Sequence, residues 1–201
     1  KGVITLEFPH LLNLINECQF DTIYHEHFSY LSLTVVKRIF EINGLRIWKV
    51  DKLKTHGGSI RVYGCHDNDL RKIDVSVKNI LLKEKKSKLT NIKTYQGFQS
   101  IIYKIKNDFL SFLIKQKNKG KTIVAYGAAA KGNTFLNYAG IKTDLISHVF
   151  DSAKSKQGKY MPGSHIPILS PEKIKCIKPD FIIILPWNIS KEVIDENSYV
   201  K

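Results

Sequence analysis

Arginine is scarce in this chain. Of its 32 basic residues only Arg38, Arg46, Arg61 and Arg71 are arginines, and the rest are lysines. A formal net charge of +14 invites a nucleic-acid reading. The planar guanidinium that reads phosphates and guanine edges is nearly missing, however. The lysines are spread along the chain, with local density only at Lys83-Glu84-Lys85-Lys86-Ser87-Lys88. The charge is therefore assigned to solvated helix faces and to an electrostatic pull on anionic substrates, with no nucleic-acid partner. Cysteine is equally sparse: Cys18, Cys65 and Cys176 stand far apart with no C-x-x-C pair. This excludes a disulfide framework and a cysteine zinc site. No apolar run approaches a membrane span and no signal peptide opens the chain, so a cytoplasmic location without a membrane partner is expected.

What the chain does have is a globular composition, 43% hydrophobic over 201 residues, enough for one large or two small domains. It opens on a strand, Gly2 to Phe8, stopped by Pro9. A strand of buried type so early suggests a piece of a longer protein. Leu11, Leu12, Leu14 and Ile15 have helical spacing. Thr34 reads as the N-cap of a helix that stops at Asn43-Gly44. Residues 45–50 and 59–64 alternate as two strands, expected to be antiparallel. From about 69 to 118 the pattern is helical and lysine-rich, with helices at roughly 69–85 and 91–118. After Gly120 the texture changes to strand, helix, strand, helix, strand: residues 121–126, a helix ending near Gly140, 146–150, a short helix from Pro171, and 181–185. Continuous apolar strands alternating with helices predict a parallel sheet covered on both faces. The fold class is α/β, with residues 1–68, 69–118 (a helical connector) and 119–201 (a Rossmann-like domain) as its parts.

Tyr24-His25-Glu26-His27-Phe28-Ser29-Tyr30 places two imidazoles, a carboxylate and two phenols within seven residues. Histidine exchanges protons near neutral pH, and a neighbouring carboxylate orients it or raises its pKa. This run is read as part of an active site; the alternative is a satisfied histidine pair at a helix start. An H-x-H pair also suits a metal, but neither His10 nor His56 can be placed beside it from sequence, and no metal site is assigned.

Gly127-Ala128-Ala129-Ala130-Lys131-Gly132 joins a strand to a helix, where backbone can approach a phosphate at the helix N-terminus. Ala129 replaces the second glycine of the dinucleotide pattern G-x-G-x-x-G, and Asn133 stands where the triphosphate loop needs lysine. Anion or sugar-nucleotide binding is the favoured reading, against a tight turn built for packing. Asp151 ends the next strand at the usual ribose-contacting position, and a polar loop containing Lys156 and Tyr160 forms the rim of the same crevice. A dinucleotide-binding oxidoreductase is the rival that this turn leaves open.

These stretches, together with Thr55-His56-Gly57-Gly58-Ser59, Pro162-Gly163-Ser164-His165-Ile166-Pro167 and Leu185-Pro186-Trp187-Asn188, closely resemble the S-adenosylmethionine-dependent sugar C-methyltransferases, which methylate C3 of dTDP-4-keto deoxysugars. The resemblance runs in order over nearly the whole chain. It implies the end of a class I methyltransferase sheet over 1–68 and a sugar-nucleotide-binding domain over 119–201. The family's zinc domain and its S-adenosylmethionine loop would lie outside this chain, which would then be a fragment without independent activity. The resemblance also implies roles. His27 would be the base, Glu26 would polarise it and Tyr24 would sit near the keto sugar. Lys131, Asn133 and Thr134 would hold the nucleotide diphosphate, with Gly127, Lys156 and Tyr160 around it. His25 is expected to be structural.

Overall fold

Strand β1, Ile4–Pro9, lies at the edge of a three-stranded antiparallel sheet ordered β1-β3-β2, where β2 is Leu45–Leu53 and β3 is Ser59–His66. The computed structural model describes residues 2–198, which fall into two units: the chain up to Phe20 with His27–Ile102, and Asp21–Glu26 with the chain from Tyr103. In the first unit β2 and β3 are antiparallel as expected, with a bulge between Ile47 and Lys49. On the opening strand and just before it, Val3, Ile4 and Leu6 are 47%, 40% and 39% exposed in this chain. Among the described residues β1 has a partner on one side only. Apolar content predicts burial only when a second layer covers the strand.

Helix α1, Leu11–Asn16, follows β1, and helix α2, Leu33–Ile42, packs Leu33, Val36 and Phe40 onto Ile47, Val50, Ile60 and Val62. Gly64 makes this close packing possible, since a Cβ there would meet the Phe40 ring at 2.0 Å. The N-cap of α2 is Ser32 rather than Thr34: its hydroxyl accepts from Val35 N at 3.2 Å. Thr34 lies inside the helix, and its hydroxyl donates to Glu84. Both residues have capping chemistry, and a carboxylate from fifty positions away decided between them. Helix α3, Val75–Lys86, begins six residues later than the expected 69, because Asp74 caps it through Ser76 N. Ahead of that cap, Arg46 holds the carbonyls of Asp69 and Arg71 and keeps the segment out of the helix. Short helix α4, Lys93–Gln96, and the long α5, Phe98–Asn118, follow, and the boundary between the two units falls inside α5.

The second unit is built on a four-stranded parallel sheet ordered β6-β5-β4-β7: β4 is Ile123–Tyr126, β5 Val149–Phe150, β6 Ile168–Leu169 and β7 Phe181–Ile184. Side chains of β4 alternate faces. Ile123 and Ala125 pack with Leu113 of α5 and Leu136 of α6 (Ala130–Ala139). Val124 and Tyr126 pack with Ile174 of α7 (Ile174–Ile177) and Val193 of α8 (Ser190–Glu196). The sheet is thus covered on both faces, as its apolar strands required, and the fold is α/β. Strand β5 is shorter than the expected 146–150, since Ile146 N turns back to Lys142 O. Gly140 closes α6 at φ +70. Among the described residues, no helix is long and apolar enough to cross a membrane.

Candidate functional site

The strand order creates the site. After β4 the chain leaves through α6 towards β5 and β6, then crosses back to place β7 on the other side of β4. Loops that follow neighbouring strands in opposite directions leave a crevice at their carboxyl ends, where parallel sheets bind ligands. Here those loops are Gly127–Ala129 and Leu185–Asn188. They meet closely: Gly127 has φ +92, and a Cβ on it would lie 2.4 Å from Pro186 Cδ. Gly127 is therefore required by the packing of the two loops as well as by its left-handed backbone.

Asp151 secures the first loop. Its carboxylate accepts from Ala128 N at 2.7 Å, from Ala153 N at 2.8 Å and from Lys156 Nζ at 3.1 Å. The aspartate expected at a ribose is instead bonded to the turn itself. Ala129, the N-cap of α6, has no capping side chain, so the first-turn amides of Ala130, Lys131 and Gly132 carry the positive end of that helix.

A polar chain crosses the crevice, buried at Asp21 and Lys131 and exposed at Trp187 and Asn188. Asp21, 8% exposed, accepts from the Trp187 indole Nε1 at 2.6 Å. The Lys131 ammonium, on a side chain whose residue is 7% exposed, lies 4.7 Å from the Trp187 ring centroid and donates to Asn188 Oδ1 at 3.1 Å. An indole whose N–H is held by a carboxylate is a better partner for a cation on its face, so the two contacts reinforce each other. Burial pushes the Asp21 carboxyl above its usual range, against the pull of the Trp187 bond and the Lys131 charge. Burial likewise pushes the Lys131 ammonium down, opposed by Asp21.

The other expected residues are distributed as follows. Tyr24 is half-buried, its ring 6.4 Å from that of His25 in an edge-on arrangement. His25, expected to be structural, has 88% of its side chain exposed, with its Nε2 4.0 Å from the Glu26 carboxylate. A structural role by packing is excluded at that exposure. His27 is half-buried. Tyr24 to Glu26 form a turn rather than a helix, and this stretch groups with the second unit although its flanking sequence belongs to the first. Asn133 Oδ1 is buried without a hydrogen-bond partner among the described residues, and Thr134 Oγ1 donates back to Ala130 O. Lys156 is tied to Asp151, and Tyr160 is 64% exposed. Sequence reasoning assigned no role to Asp21, Trp187 or Asn188. A tryptophan immediately after a fully apolar strand and its Pro186 was the available signal, because an amphipathic ring at a strand's carboxyl end points to a site.

Comparison with known proteins gives the family. The model of the C-methyltransferase C-terminal domain matches residues 54–201. The chain belongs to the C-methyltransferase family. It is 36% identical over 194 residues to the C-methyltransferase NovU of Streptomyces niveus, covering 96% of this chain and 46% of that protein. It thus spans about half the length of the curated relative it matches. The family match includes Gly127, Lys131, Trp187 and Asn188 and begins after the Tyr24–His27 run, which stands outside it.

Proposed function

We propose that this chain forms part of a C-methyltransferase that transfers a methyl group from S-adenosylmethionine to C3 of a nucleotide-linked 4-keto deoxysugar. The observation that carries this reading is a buried lysine in the first turn of an uncapped helix, at the switch point of a parallel sheet. A desolvated ammonium gains most from an anionic partner, and the adjacent amides add to its attraction for a diphosphate. Lys131, Asn133 and Thr134 hold the diphosphate in this reading, with Gly127, Lys156 and Tyr160 around it. Asn133 takes part through its Nδ2–H donors, since a carboxamide oxygen accepts and does not bind an anion.

Methylating carbon requires a carbon nucleophile, made by removing the acidic proton beside the 4-keto group. His27 takes that proton, Glu26 polarises the imidazole and Tyr24 steadies the developing enolate oxygen. S-adenosylmethionine supplies the electrophilic methyl group when bound. The residues described here do not fit its cradle: the Gly127 turn is filled by Pro186 and Ala128 N is spent on Asp151. No donor contact is therefore assigned to this chain, and zinc is likewise assigned to a domain outside it. On this reading the isolated chain binds nucleotide without turning over.

The test is the melting temperature of the chain with excess dTDP. Ligand at ~100 times its dissociation constant adds about 2.7 kcal/mol to the folded state. A rise of several degrees supports the nucleotide site. No shift, repeated in a full-length enzyme, sinks it.

A further inference from the structure

The residues around Tyr24 and Glu26 show a contrast in burial. Asp21 and Thr22, in the 3-10 turn Phe20–Thr22, are 8% and 1% exposed. Ile23 is already 47% exposed, and the side chains of His25 and Glu26 are 88% and 68% exposed. Three to five residues beyond Asp21, the chemistry-bearing groups sit on a turn outside any helix or strand. An extended chain covers at most about 3.3–3.6 Å per residue, so these groups lie within roughly 18 Å of chain from the anchor. The anchor itself is costly to build. Burying a carboxylate and an ammonium yields less stability than apolar side chains of the same size would, and such groups serve best to fix one arrangement.

We propose that Asp21 is a positioning residue: by accepting from Trp187 Nε1, and through that indole facing Lys131, it fixes the Tyr24–Glu26 segment to the nucleotide-binding unit. This rests on the reading of Tyr24 and Glu26 as groups of the methyl-transfer reaction. The bond links the loop after β7 to a segment far earlier in the chain, and the same indole covers the lysine of α6. One side chain thus couples the acid–base segment to the anion-binding turn, and neither needs to contact the other directly. The pair also has a built-in chemical contrast. Asp21→Asn keeps an oxygen acceptor for the indole and loses only the charge. Trp187→Phe keeps a ring face for Lys131 and loses only the donor.

The experiment pairs turnover in the full-length enzyme with amide exchange in this chain. Asp21→Ala and Trp187→Phe are expected to lower kcat by roughly 10- to 100-fold, the scale of a misplaced catalytic group, with KM for the sugar nucleotide within about threefold of wild type. Asp21→Asn recovers most of kcat. Backbone amides of 22–26 exchange at least ~10-fold faster in Asp21→Ala, while those of β4 and β7 keep their wild-type rates. Unchanged exchange and kcat in Asp21→Ala overturn the proposal. So does a uniform acceleration across β4 and β7, which would mark Asp21 as a general stabiliser. A wild-type enzyme that methylates no 4-keto sugar nucleotide, yet shows the local exchange contrast, sinks the proposed reaction and leaves the anchor established.

Discussion

His10 Nε2 and Glu84 Oε1 meet at 2.6 Å, both side chains buried, and the same carboxylate accepts from Leu33 N, Thr34 N and the Thr34 hydroxyl. Glu84 thereby closes the N-terminus of α2 from a different helix. Burial acts to raise its pKa, but the bonds from His10, Thr34 and Leu33 outweigh it and hold the carboxyl below its usual range.

Glu84→Ala leaves several buried donors unpaired, at about 1–3 kcal/mol each, and is expected to cost on the order of 3 kcal/mol or more. The pH dependence has a definite sign. A depressed folded-state pKa means that the contribution is complete above the ordinary glutamate value of 4.5 and is lost as pH falls below it. Urea melts of wild type and Glu84→Gln should therefore differ most near neutrality and converge in acid. A gap that stays constant from pH 7 to pH 3 contradicts this account.

Gly127→Ala forces a methyl into the space 2.4 Å from Pro186 Cδ on a left-handed backbone. Overpacking and the unfavourable φ together predict a loss of about 2–4 kcal/mol. Denaturant titration measures it. The variant should also lose its thermal response to dTDP, because the loops that frame the crevice can no longer close on each other.

Lys131→Met keeps the apolar stem and removes the ammonium. The melting shift with dTDP is expected to fall by at least half. In the unsubstituted chain burial lowers the Lys131 pKa, so the charge that attracts a diphosphate is lost on raising pH before the ordinary lysine value of 10.5 is reached. Nucleotide affinity should decline across that alkaline window in wild type and stay flat in Lys131→Met. Calorimetry at two or three pH values distinguishes the two.

His27→Ala and Glu26→Ala in the full-length enzyme should each lower methyl transfer by 10²-fold or more, within the usual range of about 10²–10⁴ for general acid–base groups. Binding of S-adenosylmethionine should be spared. Normal turnover by both variants removes these residues from the reaction.

Much of this was legible in the sequence. Period-two and period-3.6 patterns located most of the elements. The strand–helix alternation after Gly120 predicted the parallel sheet, and the motifs around Tyr24, Gly58, Gly127 and Trp187 carried the family resemblance. Misreadings fell where local chemistry was ambiguous: Ser32 and Thr34 both suit a cap, and Asp69 and Asp74 both suit a helix start. In each case a distant group decided, Glu84 for α2 and Arg46 for the delayed start of α3.

The sequence by itself determined the element types, the covered parallel sheet and the chemical inventory of the Tyr24–His27 and Gly127–Lys131 runs, because periodicity and residue type are local properties. Only the tertiary structure decided that Asp21 meets Trp187, 166 positions away, and that Asp151 serves the turn rather than a ligand. Such partnerships arise from strand order, which no local pattern encodes, and from the demand that every buried charge find a counterpart.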